Sequence, residues 1–147
     1  MADIDNFDHE RRVIEKRFAA QWGSTTKIRW ENQPWSEPKA DQTWVALTIV
    51  TAGEGAQIDL RDKALHRYGG SVIIQVFQKE NTGTGAANIL VGRAAAIFRR
   101  AEICEDDSGL IRFRTPAKTV VGANNGWYQI NVSCPYFRDV HHDRPTT

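Results

Sequence analysis

The sequence has no excess of charge of either sign: 19 Lys and Arg stand against 18 Asp and Glu, a formal net charge of +1. No global field therefore draws the chain to DNA or to an anionic membrane surface. It has only two cysteines, Cys104 and Cys134, far apart and without partner spacing. That excludes a disulfide framework, and both read as reduced, small hydrophobes of a cytoplasmic product. The acidic start (Asp3, Asp5, Asp8) lacks the apolar stretch of a secretory signal. No apolar run approaches the roughly 20 residues that a membrane span needs. No internal repeat is present. What remains is the composition of a soluble globule, 41% hydrophobic and 25% charged, in a length that one domain fills. We expect one domain over residues 1–138 and a flexible, frayed tail over 139–147. Aromatic content is the exception: five tryptophans are many for this length, and such an excess often marks contact surfaces as well as cores.

Apolar spacing predicts a helix from Asp5 to Trp22, with Phe7, Val13, Ile14, Phe18 and Trp22 on its stripe and Gly23 as its stop. A short strand follows over Lys27–Glu31, then a loop with Pro34, Trp35 and Pro38. Thr43–Thr51 and Ser71–Gln78 read as strands, joined by a long polar connection containing Gly53, Gly55, Gly69 and Gly70. Thr84 is placed to cap a second helix whose stripe is Ala86, Ile89, Leu90, Ala94, Ile97, Phe98 and Ala101. Leu110–Arg114 is a strand, Thr115–Asn125 a loop or irregular edge, and the final strand begins at Gly126. The expected fold is α+β: a small mixed, mainly antiparallel sheet with two helices in the order α-β-β-β-α-β-β. Strands joined without intervening helices, over residues 27 to 78, are expected to pair antiparallel.

The final strand carries the most information. With a period of two, Tyr128, Ile130, Val132 and Cys134 share a core face, and Trp127, Gln129, Asn131 and Ser133 share the other. That second face is polar yet uncharged, unlike an ordinary water-facing strand. Two helices cover one side of a sheet. The other side is expected to present Trp44, Ala46, Ile73, Gln75, Phe77, Trp127 and Gln129, a patch larger than monomers normally expose. Either long loops or straddling helices cover it, or neighbouring copies of the chain do. Self-assembly through Trp44, Ile73, Phe77, Trp127 and Gln129 is the preferred reading.

No constellation fits catalysis. Gly83-Thr-Gly85 opens a helix after a strand, as a dinucleotide fingerprint requires, but Asn88 stands at the third glycine position. A helix start with flexible glycines is the better reading, able at most to hold a stray anion. His9, His66, His141 and His142 lack Cys or carboxylate companions at ligand spacing and read as solvated. The acidic run Glu105-Asp106-Asp107 reads as a soluble turn. The expectation is a non-enzyme with no metal and no cofactor.

Several runs occur together in a recognisable order: Phe18-Ala-Ala-Gln-Trp22, Ile28-Arg-Trp-Glu-Asn32, Pro34-Trp35 and Trp44-Val-Ala-Leu-Thr48. After them come Gly69-Gly70 leading into Val72-Ile-Ile-Gln-Val-Phe77, Gly83-Thr-Gly85, Phe113-Arg-Thr-Pro116 and Gly126-Trp-Tyr-Gln-Ile-Asn-Val-Ser133. From Phe18 to Phe137 the chain resembles the tail terminator (tail completion) proteins of long-tailed bacteriophages. The resemblance implies a small α+β subunit that closes into a hexameric ring without an active site. Such a ring caps the tail tube, ends its polymerisation and presents a surface to the head connector or neck protein. It implies a virion component assembled in the host cytoplasm. Two departures stand out: Cys134-Pro135-Tyr136 replaces an aliphatic residue followed by Pro-Phe, and the segment from Arg138 is more charged. Another neck or head-completion ring component is the alternative, and a nucleotide-binding enzyme a distant one.

In that setting the connection over residues 52–70 is either a mobile hairpin tip with solvated charges or, in the functional reading, an arm that is disordered in the free subunit and ordered against a partner. Arg61, Lys63, His66, Arg67 and Tyr68 are its contact residues. Arg93, Arg99, Arg100, Arg112 and Arg114 are candidates to line a lumen through which DNA passes, bound weakly and without sequence preference.

Overall fold

Two strands of 17 residues organise the structure, a computed structural model that describes residues 4–39, 42–105 and 108–145. They are β3 (Lys63–Lys79) and β7 (Trp127–Asp143), paired antiparallel along their whole length from Lys63↔Asp143 to Lys79↔Trp127. β2 (Trp44–Gln57) is antiparallel to the free edge of β3, and β1 (Lys27–Arg29) is parallel to the start of β2. The other edge of β7 is shared. β6 (Ala117–Asn124) lies beside its first half, and β5 (Leu110–Phe113), followed by β4 (Glu102–Ile103), beside its second. The described residues form one seven-stranded mixed sheet with two helices, α1 (Asp8–Trp22) and α2 (Gly85–Phe98). The expected α+β class and helix–strand order are met.

Both helices lie on one side of the sheet. Even-numbered residues of β3 and β7 (Val72, Ile74, Val76; Ile130, Val132, Cys134) and odd-numbered residues of β2 (Val45, Leu47) meet Val13, Ile14, Phe18 and Trp22 of α1 and Ala87, Val91, Ala94 and Phe98 of α2. Phe18 stacks between Trp22 and Phe98, at centroid distances of 5.1 and 6.2 Å. Each such large apolar side chain contributes about 1.5–3 kcal/mol on burial. Cys134 packs in this layer, and burial pushes its thiol up to about 12, so it is an inert packing group; Cys104 is exposed, and both are free.

Several elements differ from expectation, each for a local reason. α1 begins at Asp8, because Asp5 is drawn away to Arg138 and His142. The stripe of α2 is turned by about one position, so that Ala87 is buried while Ala86 and Ile89 are exposed. Thr84 occupies the N-cap position without a side-chain cap; Gln78 on β3 supplies it, its Oε1 accepting from Ala87 N–H at 2.9 Å. β1 and β2 are parallel, since the proline-containing loop between them is long enough to return the chain to the same end of the sheet.

Residues 115–125 hold a strand where a loop or edge was expected. The β-branched run Thr119-Val120-Val121 favours extended backbone, and Asn125 and Gly126 (φ of 51° and 86°) supply the doubly left-handed turn that joins two antiparallel strands. The first residues of the tail expected over 139–147 are part of the sheet: β7 continues to Asp143, matched residue for residue by the equally long β3.

Residues 52–70 form a hairpin, the alternative reading of this segment, and not a disordered arm. β2 and β3 extend into it, and Asp59 closes its tip by accepting from Arg61 and Leu65 N–H and from the Arg61 guanidinium. Those contacts hold the Asp59 carboxyl well below its ordinary range. Two of the glycines serve close approach. A Cβ on Gly55 would stand 2.6 Å from the Tyr68 ring, and one on Gly70 only 2.9 Å from Val50 O. Asp106 and Asp107 of the acidic run lie outside the described residues. No described helix is long and apolar enough to cross a membrane.

Candidate assembly surface

The sheet face without helices divides into three zones. At the β1 end lies an aromatic cluster. Trp44 stacks on Phe77 at 4.0 Å and 14°, Trp127 meets Trp44 edge-on at 5.9 Å, and Trp35 leans on it at 4.9 Å. Trp127 Nε1–H donates to Glu37 Oε1 at 2.6 Å, and Lys27 lies 5.2 Å over the Trp35 ring, so the loop after β1 is pinned across the cluster. This corrects the predicted interface. Trp44, Trp127 and Gln129 are 4%, 9% and 7% exposed within the single subunit, so a neighbour has little left of them to cover. The loop alternative accounts for this end of the face. Ile73 and Phe77 are the members of the predicted set that stay half-exposed.

The middle zone has no such cover. Thr48, Ser71, Ile73, Gln75, Asn131 and Ser133 are half-buried, adjacent across the strands and uncharged. The uncharged character expected of this face is therefore confined to its centre.

Toward the hairpin the face turns basic. Arg67 grips Asp139 with both ends of its guanidinium, at 2.7 and 2.9 Å. Phe137 sits between Arg67 and Arg114, whose guanidinium carbons are 5.3 and 4.5 Å from the ring centre. Arg100 and Arg112 line the same hollow, with Glu102 3.8 Å from Arg112. Among the described residues Arg100 and Arg114 have no carboxylate partner, so the hollow carries net positive charge and can take an anionic group. Of the five arginines proposed for a lumen, Arg100, Arg112 and Arg114 come together here, whereas Arg93 lies over Trp22 on the helix side.

The predicted arm residues separate. Arg61 and Lys63 are exposed at the hairpin tip, where Ile58 and Leu60 are also bare, 48% and 86% exposed. Arg67 faces the helix-free side. His66 and Tyr68 face the other side, under the N-terminal end of α1, where Tyr68 bonds to Asp5.

That end of α1 holds the feature sequence reasoning missed. Arg138 is fully buried and donates to Glu10 (3.0 Å), Ser108 O (2.7 Å) and Asp5 (2.9 Å), and it lies 4.7 Å over the Tyr68 ring. The Tyr136 hydroxyl donates to Glu10, and its own titration is pushed up by burial and by that carboxylate. His9, expected to be solvated, is buried, hydrogen-bonded through one ring nitrogen to Gly109 O and through the other to Arg12. One signal pointed to this network: Arg138 falls in phase with Ile130, Val132, Cys134 and Tyr136, which puts a guanidinium on the core face.

No group of three or more metal-ligating side chains occurs among the described residues. A solved structure of 14% identical sequence superposes with a TM-score of 0.63, covering 92% of this chain and 98% of that one, a likeness of fold. No protein among the curated sequences matches. The family described as phage tail terminator protein matches residues 11–136, most of the chain and every element from α1 to the middle of β7. The chain belongs to the phage tail terminator protein family, a family of structural proteins of the virion tail.

Proposed function

We propose that copies of this chain close into a ring, hexameric by family resemblance, that sits on the end of the tail tube and stops its polymerisation. The ring then offers its opposite end to the head connector or neck protein. Its role is structural, without catalysis or cofactor, in a virion assembled in the host cytoplasm.

The observation that carries this reading is the sheet in a member of a tail terminator family: one side is sealed by two helices, while the other is covered by a loop only at its β1 end, uncharged at its centre and basic toward the hairpin. We place the bare side inward. There the copies enclose it, and DNA passes a surface of Thr48, Ile73, Gln75 and Asn131 that offers no strong hold. The hollow around Arg100, Arg112 and Arg114 supplies weak, sequence-blind contacts to phosphate. The hairpin tip projects along the strand direction, so Ile58, Leu60, Arg61 and Lys63 are assigned to an axial partner, the tail tube protein.

Measuring the mass of the purified protein in solution tests the ring. At micromolar concentration it should show one species with the mass of a closed set of 16.6 kDa chains, six by this reading. A chain that stays monomeric as concentration rises contradicts it.

A further inference from the structure

Among the described residues, two stretches of this sheet leave one side of their backbone without a strand beside it. On β2 only Trp44–Ala46 meet β1, and Val50–Gln57 continue exposed to the hairpin tip. At the far side of the sheet β6 pairs with β7 along one edge only, and all of its residues except Gly122 are exposed.

Neighbouring hydrogen bonds show which backbone groups point outward. Ile49 N–H turns out to Glu31, so Thr51, two residues on, faces the same way. Ile58 N–H donates inward to Leu65 O, so Gln57 and Gly55 face out. On β7, Pro135 O accepts from Arg114 N–H, which assigns Ser133 and Asn131 to the β6 side. Their partners Ala117 and Thr119 therefore bond inward, and Lys118 and Val120 turn N–H and C=O outward.

Open, nearly uncharged strand edges are templates for another strand, and proteins usually guard them with short length, lysine or proline. β1 is guarded in this way: it has three residues, two of them Lys27 and Arg29. Val50–Gln57 carry one charge, Glu54, and β6 carries one, Lys118, of opposite sign.

We propose that the ring closes by joining these two edges, β6 of one copy lying antiparallel to Val50–Gln57 of β2 in the next. The inference rests on the ring reading above and names the contact that makes the ring. Strand directions alternate through β2, β3, β7 and β6, so a neighbour in the same orientation brings its β2 antiparallel to β6 without any copy turning over. Two different edges make a head-to-tail contact, which closes by rotation and cannot stop at a symmetric dimer. β6 lies level with the start of β2 and the open stretch lies beyond it, so joining them staggers each copy against the next. Strands then run tilted to the ring axis, as closure of a sheet requires.

The test uses the full-length chain. Amide exchange of the assembled protein should protect Thr51, Gly55, Lys118 and Val120 at least tenfold relative to the same protein diluted to subunits. With Cys104→Ser removing the exposed thiol, Glu54→Cys together with Lys118→Cys should be linked by a short bismaleimide into a covalent series ending at the ring. Val120→Pro deletes an outward N–H and spares the inward bonds of Ala117 and Thr119; it should keep the fold and weaken assembly at least tenfold. An assembled ring whose four amides exchange at the subunit rate and whose cysteines do not cross-link overturns the edge pairing and leaves the ring standing. A chain that is monomeric at every concentration overturns both.

Discussion

Replacing Arg138 with methionine is expected to cost about 3–5 kcal/mol of stability, the scale on which removing one partner of a buried ion pair is felt. For a domain of this size that lowers the Tm by about 6–20 °C. The reason is the surroundings of the guanidinium. It is fully buried, each of its three nitrogens donates, to Glu10, Ser108 O and Asp5, and without it the buried Glu10 carboxylate keeps, among the described residues, only the Tyr136 hydroxyl. The loss should be felt most at the N-terminal end of α1, which this network ties to β7. Adding Glu10→Gln to Arg138→Met should recover much of the lost stability, because the second change removes the stranded charge. Thermal or urea denaturation at fixed protein concentration measures both variants. A loss below about 1 kcal/mol for Arg138→Met would place this network among surface ion pairs in energetic terms.

The same network gives the anchor a pH dependence. Burial alone would raise the Asp5 carboxyl, but hydrogen bonds from Tyr68, Arg138 and His142, with the Arg138 charge, outweigh it and hold Asp5 below its ordinary value. A depressed folded-state value means that the carboxylate stabilises the fold above the ordinary aspartate range. That contribution is lost as pH falls through the lowered value. The Arg138→Met variant should therefore lose less stability on acidification than the parent chain does.

The double substitution Ile58→Asp, Leu60→Asp is expected to leave the fold and the ring intact and to weaken capping of tail tubes by a hundredfold or more. Both side chains are bare at the hairpin tip, beyond the last strand pairs, so neither packs in the core. Burying two such side chains against a partner contributes about 1.5–3 kcal/mol each, and carboxylates in their place add a desolvation penalty. Melting temperature and solution mass should match the parent, while the protein concentration needed to arrest tube growth rises. Unchanged arrest would move the tube contact away from the hairpin tip.

The sequence was legible where one physical signal dominated. Phe7, Val13, Ile14, Phe18 and Trp22 repeat at helical spacing; α1 buries the last four, while Phe7 stands exposed at its N-cap. Ile130, Val132 and Cys134 alternate with polar residues, and β7 turns those three to the core. It was misread where two signals conflicted. Around residues 52–70 four glycines and a density of charges point to an arm, whereas the chain forms paired strands. In the fold Gly55 and Gly70 make room for the Tyr68 ring and for β2. Lys63–Tyr68 stay extended because β7 runs beside them, a constraint that local composition does not carry.

The candidate interface was half legible for a related reason. Period two put Trp44, Phe77 and Trp127 on one face correctly, but no local pattern says that Trp35, distant in sequence, folds over them. Arg138 was hidden by its type: a charged residue late in the chain reads as solvated tail until its phase with Cys134 and Tyr136 is taken seriously.

The central claim is that this chain ends tail tube growth. Its most direct test adds the purified protein to tail tube subunits of the same phage as they polymerise, with tube lengths followed by electron microscopy. The account predicts that growth stops at once, at sub-stoichiometric protein, with a ring visible on one end of each tube. Tubes that lengthen at the same rate with and without the protein would contradict it.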